Sequence, residues 1–279
     1  MPMLFRLHGA DDVRSPEAFA TTVTTRLAID ALRSARVRRE RYVGPWLPEP
    51  LVAAGDVVAA GTQLGPDPAE VVVRRESLSM AVLMLMEELG PVERAVYVLR
   101  EALGLDYARI GEIVERSAAA CRQLYSRSRR RLADATPPDD GRTGRASVAE
   151  ALVDALHVQD VARVEELLAA DVRLHADGDG RAPAIARPIE GASAVARFLL
   201  GLARRVDPLG VRLDVIEANG GPAVRARDCD GSWLAVMAVQ EAHGQVVGLQ
   251  NQLNPDKLTH LGPVGDLTAL LTRGGSCAR

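Results

Sequence analysis

Two proline-rich interruptions, at residues 42–50 and 134–145, forbid one continuous core and split the chain into a helical part and a mixed part. In Tyr42–Pro50 (YVGPWLPEP), prolines 45, 48 and 50 remove backbone donors and fix φ, so no regular helix passes through. Residues 51–69 continue this in Gly, Ala and Pro and read as linker. Asp134–Arg145 (DATPPDDGRTGR) is polar, rich in Pro and Gly, and marks a second boundary. With 279 residues, 47% of them hydrophobic, the chain is long enough for two or three domains, each with its own core.

Ahead of the first interruption, the sequence predicts a long helix from Pro16 to Arg41. Ser15 supplies the N-cap and Pro16 the first helical position. Phe19, Val23, Leu27 and Leu32 have roughly helical spacing, and Arg33, Arg36, Arg38, Arg39 and Arg41 make a basic end that faces solvent. Trp46, one of two tryptophans, either packs against a neighbouring domain or staples a local turn.

After the linker a helix runs from about Ala69 to Leu89, where Met80, Met84 and Met86 read as core filler. Gly90-Pro91 breaks it and Val92–Leu103 forms the next. Leu105–Val114 has helical apolar spacing at Leu105, Ile110, Ile113 and Val114. A short break at Glu115 and Arg116 leads into a last helix, Ser117–Leu132. Residues 69–133 therefore make a four-helix module whose final pair is a helix-turn-helix.

That last helix is basic inside a chain of net charge −3. Arg122, Arg127, Arg129, Arg130 and Arg131 lie there with no acidic residue among them, a bias that suits a polyanion. At about 100° per residue, Ala120, Cys121, Leu124, Ser128 and Leu132 share one face, and Ala119, Arg122, Gln123, Ser126 and Arg130 fall roughly opposite. Ser117 is the candidate N-cap. Arg122 and Gln123 then sit in the first turns, where fork-shaped donors suit guanine and adenine edges. Arg127, Arg129 and Arg130 are better placed for phosphates. The alternative is a solvated helix end that complements the C-terminal dipole.

Beyond residue 146 the pattern changes. Helices at Val148–Val158 and Val161–Ala169 precede Val172–Ala176, a Gly/Asp loop at Asp177–Gly180 and a helix near Ser193–Arg205. Strand-like runs follow at Val211–Glu217, Ala223–Ala226, Trp233–Val239 and Val246–Leu253. Helices first and a meander afterwards indicate α+β, a class that often encloses a pocket. His157, His175, Asp177, Asp179, Asp214 and Glu241 are scattered and define no catalytic site. DGDG lacks the later ligands and terminal Glu of a calcium loop, so neither metal nor cofactor is expected. Cys121, Cys229 and Cys277 have no metal-ligand spacing and read as thiols of a reduced cytoplasm. No secretory signal and no apolar run near 18 residues are present, which predicts neither export nor a membrane span.

The order of LAIDALRSARVRRE, WLPEP, a module ending ACRQLYSRSRRRL, DGDGR and NPDKL resembles the extracytoplasmic-function (ECF) sigma factors that carry a C-terminal SnoaL-like domain. DGDGR departs mildly from that group's usual DGGGK. The resemblance implies all-α sigma domains followed by an α+β SnoaL-like cone: residues 1–41 a partial sigma domain 2, 42–68 the linker, 69–133 sigma domain 4, 134–146 a second linker, 147–258 the SnoaL-like domain and 259–279 a tail. It also implies two further helices ahead of Arg14, with Met1–Leu7 as their last remnant, so the chain is expected to be shortened at its start.

By the same resemblance, Arg122, Gln123, Ser126, Arg127, Arg129 and Arg130 contact the upstream (−35) promoter element. The linker Trp46, Leu47, Pro48, Glu49 and Pro50 would meet two motifs of the cone, Asp177, Gly178, Asp179, Gly180 and Arg181, and Asn254, Pro255, Asp256, Lys257 and Leu258. The expected function is transcription initiation with core RNA polymerase and promoter DNA as partners, regulated by the cone in place of a separate anti-sigma protein. No enzymatic activity is required of it, and the free chain is expected to be monomeric. The runner-up is a cone that binds a small apolar molecule and performs isomerase- or hydrolase-type proton transfer, with His175, Asp177 or Asp214 pointing into a closed pocket.

Overall fold

In the computed structural model, residues 15–39, 42–52, 80–135 and 148–273 are described. They fall into two units, one of residues 1–41 with 85–136 and one of 42–84 with 137–279. The proposed remnant Met1–Leu7, the start of the helix placed at Ala69 and most of both linkers lie outside the described residues.

The first unit is all helical. Helix α1 (Pro16–Arg39) starts where the Ser15 hydroxyl accepts from the Ala18 N–H at 3.3 Å. Its register differs from the expected one. Leu27 is exposed and Ile29 is the buried residue, two positions and about 200° away. Ala20, Thr21, Thr25 and Ala28 line an open groove on α1, Ala28 itself exposed, and Ile29 is the residue of this helix that enters the core. Helix α2 (Met80–Glu88), of which only the part from Leu85 on belongs to this unit, ends at the expected Gly90-Pro91 break, and Gly90 in extended conformation starts α3 (Pro91–Glu101). Helices α4 (Tyr107–Val114) and α5 (Ala118–Ala135) complete the unit. Val96, Leu99, Ile110, Ile113, Val114 and Cys121 join Ile29 in one core.

The second unit is α+β, as expected. Helices α6 (Val148–His157) and α7 (Val161–Leu167) precede β1 (Leu168–Asp177), β2 (Ile189–Glu190) and α8 (Ala192–Val206). Strands β3 (Arg212–Ala218), β4 (Gly221–Arg227), β5 (Trp233–Ala242) and β6 (Gln245–Gln252) follow. The sheet order is β2-β1-β6-β5-β4-β3, with β1 parallel to β6 and the other pairs antiparallel. Glu241, one of the scattered acids, accepts from the Ala149 N–H at 2.8 Å and so ties the start of α6 to the sheet.

One face of this sheet is covered by helices: Leu152, Leu156, Val195, Leu199 and Leu200 pack on Val172, Leu174, Val224, Met237 and Leu249. The opposite face is covered differently. Ile216, Ala223, Trp233 and Val236 lie under Leu258 and Leu261, with Val52 and Val264 packed alongside. The chain after Leu258 thus continues onto the sheet and ends its described part in a helix absent from the sequence expectation, α9 (Leu267–Arg273). Cys121 is buried and its thiol is free. Among the described residues no helix is long and apolar enough to cross a membrane.

Candidate functional sites: a helix-turn-helix and a linker clamp

The turn between α4 and α5 is built by local chemistry. Asp106 caps α4, its Oδ1 accepting from the Arg109 N–H at 2.8 Å. The helix ends at Glu115 in the left-handed region (φ 57°, ψ 51°), and the Arg116 N–H returns to the Gly111 carbonyl at 3.0 Å. A Cβ on Gly111 would stand 2.5 Å from the Arg116 carbonyl oxygen, so only glycine allows this close approach. Ser117 then caps α5, accepting from the Ala120 N–H at 3.1 Å.

On α5, Cys121, Ser128 and Leu132 are buried and Leu124 is half-buried. Arg122, Gln123, Ser126, Arg127, Arg129 and Arg130 are all exposed. Two of these six are held by neighbours. The Arg122 guanidinium lies 5.3 Å from the centroid of the Tyr107 ring, which also carries Arg100 at 5.0 Å. Arg127 Nε meets Glu93 Oε1 at 3.0 Å, and Glu93 is buried. Burial alone would raise the Glu93 pKa. The Arg127 hydrogen bond and charge, helped by the Gly90 backbone and the Ser128 hydroxyl, outweigh it and hold the carboxyl below its ordinary range. Arg127 therefore anchors α5 to α3 as well as facing outward.

The second site is where residues 42–52 lie on the sheet face opposite the helices. Its centre is Asp177, fully buried at the end of β1. Its Oδ2 accepts from the Leu47 N–H at 2.8 Å, from Lys257 Nζ at 2.7 Å and from Gln252 Nε2 at 3.2 Å; its Oδ1 accepts from the Tyr42 hydroxyl. Desolvation, then the bond to Asp177, raises the Tyr42 pKa, so the phenol stays protonated as a donor. Asn254 Nδ2 donates to the same phenol oxygen at 2.9 Å.

Lys257 also donates to the Leu47 carbonyl at 2.6 Å and sits 4.1 Å from the centroid of the Trp46 ring and 5.0 Å from that of Tyr42. Trp46 thus packs against a domain rather than stapling a turn. Further along, Gln252 Nε2 donates to the Leu47 and Pro48 carbonyls at 3.2 Å, and His260 Nε2 lies 2.8 Å from the Pro50 carbonyl. Leu51 and Asn219 exchange two bonds: the Asn219 N–H donates to the Leu51 carbonyl at 2.8 Å, and the Leu51 N–H to Asn219 Oδ1 at 3.1 Å. Val52 closes the run with a β-bridge to Ala218.

The remaining motif residues are placed as follows. Asp179 Oδ1 lies 3.5 Å from the Val43 N–H, and Gly180 at φ +67° rests against the Val43 side chain. Gly178 fits where a Cβ would be 2.5 Å from the Ala182 carbonyl oxygen. Arg181 and Asp256 form an exposed pair at 2.6 Å. Pro255 follows the capping Asn254, Leu258 is buried, and Glu49 is exposed. Tyr42, Asn219, Gln252 and His260 were not singled out by sequence reasoning. Each bonds a residue more than 130 positions away, and no local pattern carries that information.

His175, Asp177 and Asp214 do not line the cavity of this unit. His175 and Asp177 pair in register with Gln250 and Gln252, and Asp214 with Arg225, on the sheet face away from the helices. Burial, then the charge of Arg173, lowers the His175 pKa. Asp214 is engaged by Arg225 and lies 3.8 Å from Arg227.

A capped helix-turn-helix with an exposed basic second helix, followed by an α+β unit, defines a DNA-reading protein with an appended domain. Residues 79–132 match the family described as Sigma-70, region 4. The chain is 33% identical over 256 residues to the ECF RNA polymerase sigma factor SigJ of Mycobacterium tuberculosis, covering 88% of this chain and 80% of that protein. To the ECF RNA polymerase sigma factor SigG of the same organism it is 28% identical over 190 residues, 66% of this chain and 48% of that one. The crystal structure of SigJ superposes with a TM-score of 0.67 at 30% identity, covering 91% of this chain and 86% of that chain. The chain belongs to the ECF RNA polymerase sigma factors: it is a sigma factor for transcription initiation whose C-terminal unit is an α+β domain.

Proposed function

We propose that the SnoaL-like domain regulates initiation by gripping the Tyr42–Val52 segment, while α5 reads upstream promoter DNA and the helical part engages core RNA polymerase. In this reading the protein acts as a cytoplasmic monomer and performs no chemistry of its own. The observation that carries it is the buried Asp177, whose carboxylate takes a main-chain N–H of the linker, a tyrosine hydroxyl from its start and the ammonium of Lys257 together. A buried charge needs its partners in place, so the grip is made or broken as a unit. For DNA, Gln123, Ser126, Arg129 and Arg130 are exposed on α5, and the Tyr107 ring orients Arg122. Arg127 is shared with Glu93 and fits phosphate better than base.

Run-off transcription with core polymerase tests the regulatory part. The double variant Asp177→Asn, Lys257→Met removes the ion pair without leaving a charge buried alone. It is expected to raise transcript yield several-fold at equal protein and promoter concentration. A variant whose Leu47 amide exchanges faster, showing that the grip is loosened, but whose yield is unchanged would refute regulation through this contact.

A further inference from the structure

We propose that Glu93, a buried acid in the first turn of α3, is a positioning residue for promoter recognition: it holds Arg127 of α5 at Nε, so that the free end of the guanidinium is presented to a DNA phosphate. The proposal rests on the reading of α5 as the DNA-facing helix.

The way Arg127 is held carries the inference. Arginine has five N–H donors, one at Nε and four on the two terminal nitrogens. In the helical unit Arg26, Arg33, Arg94 and Arg109 each spend a terminal nitrogen on a carboxylate. Arg127 does the reverse. Its Nε meets Glu93 Oε1 at 3.0 Å, and neither terminal nitrogen has a partner among the described residues. A pair that served stability alone is best made fork to fork. This one leaves the fork unused, on a side chain that is 64% exposed, and that fork matches two oxygens of a phosphate.

Glu93 is fixed in turn. It is 6% exposed, the Gly90 backbone and the Ser128 hydroxyl bond its carboxyl, and a pKa below the ordinary range keeps it ionised. Ser128 follows Arg127 on α5 and is itself buried, so two successive residues of the DNA-facing helix are tied to one acid of α3. Along α5, Arg127 stands one turn after Gln123 and one turn before Arg130, both exposed. Its free fork therefore joins the exposed stripe of the helix. An untethered arginine loses much rotamer freedom when it meets a phosphate, whereas one already held at Nε loses less and binds more tightly by that difference.

The test uses the full chain with core RNA polymerase and a short duplex that this complex selects from a randomised pool. One phosphate at a time is replaced by a neutral methylphosphonate. In the wild type, neutralising a contacted phosphate is expected to cost about five-fold in affinity. Arg127→Ala should silence one such position. Glu93→Met keeps the buried volume but cannot accept a hydrogen bond; it should reduce the cost at that same position to about two-fold or less and leave the others unchanged. Glu93→Gln, whose amide oxygen still accepts from Nε, should restore it. Arg127→Lys must choose between Glu93 and the phosphate and should behave as Glu93→Met, which keeps the test independent of any change at the buried position. The full cost retained in Glu93→Met or Arg127→Lys would overturn the proposal. So would an even loss at every position in Glu93→Met, the mark of a loosened fold, or tighter binding, the mark of a lost competitor for Arg127. If Arg127→Ala silences no position, the reading of Arg127 as a phosphate contact fails first, and the role of Glu93 falls with it.

Discussion

Lys257 is the only lysine of the chain, and its replacement by methionine isolates the energy of the clamp. Its Nζ is 2.7 Å from Asp177 Oδ2 and 2.6 Å from the Leu47 carbonyl, with the lysine side chain 10% exposed and the aspartate fully buried. Removing one partner of a buried pair costs about 3–5 kcal/mol, mostly because the other charge is left uncompensated. Here the Tyr42 hydroxyl, the Leu47 N–H and Gln252 stay on the carboxylate, which places Lys257→Met at the low end, about 3 kcal/mol. The loss falls on the local opening that releases residues 42–52. Hydrogen exchange of the Leu47 and Leu51 amides should accelerate by roughly 100-fold. Amides of α5 provide an internal control and should not change. Adding Asp177→Asn should cost less than the sum of the two single changes, because no isolated charge remains. Unchanged exchange at Leu47 in Lys257→Met would refute the reasoning.

Two further outcomes follow from the helical unit. Gly111→Ala should destabilise the helix-turn-helix by about 1–3 kcal/mol, because the added Cβ meets a backbone carbonyl that cannot rotate away; thermal unfolding and promoter affinity should both fall, and an unchanged Tm would contradict it. The Glu93 pKa is lower folded than unfolded, so its stabilisation is present above the ordinary glutamate range and is lost as pH falls through the depressed folded value. Urea unfolding of the unit from about pH 6 to about pH 3 should show an acid-side loss that Glu93→Gln flattens; equal pH dependence in both proteins would exclude Glu93 as its source.

What could be read in the sequence was local. The helix-turn-helix and the exposed face of α5 followed from apolar spacing and the Ser117 cap, while Asp106 and Gly111, which also act within five residues of where they stand, were not singled out. The register of α1 did not follow, since small Ala and Thr residues line the groove beside Ile29 and the spacing of Phe19, Val23 and Leu27 pointed to Leu27 instead. The second unit shows the same division. Its helices and four strands were visible, but Leu168 and Ala169 read as the end of a helix and belong to β1, which is held by parallel pairing with β6 some eighty residues away. Short β2 and α9 carry too little periodicity to detect. In the clamp, family motifs named Asp177, Asn254 and Lys257, while Tyr42, Asn219, Gln252 and His260 emerge only when distant segments meet.

The chemistry of the linker explains why its partner is polar. Prolines 45, 48 and 50 strip donors from the segment and leave carbonyls that no helix or ladder of its own can satisfy. The domain supplies what is missing. Lys257 donates to the Leu47 carbonyl, Gln252 to those of Leu47 and Pro48, and His260 to that of Pro50, while Asp177 and Asn219 accept from the N–H groups of Leu47 and Leu51. A buried ion pair can often be exchanged for apolar residues with little loss. This one cannot, because its two members also satisfy the N–H and the carbonyl of Leu47. The double variant should therefore loosen the segment even though it buries no lone charge, and the size of that residual loss measures how far the linker is recognised through its backbone.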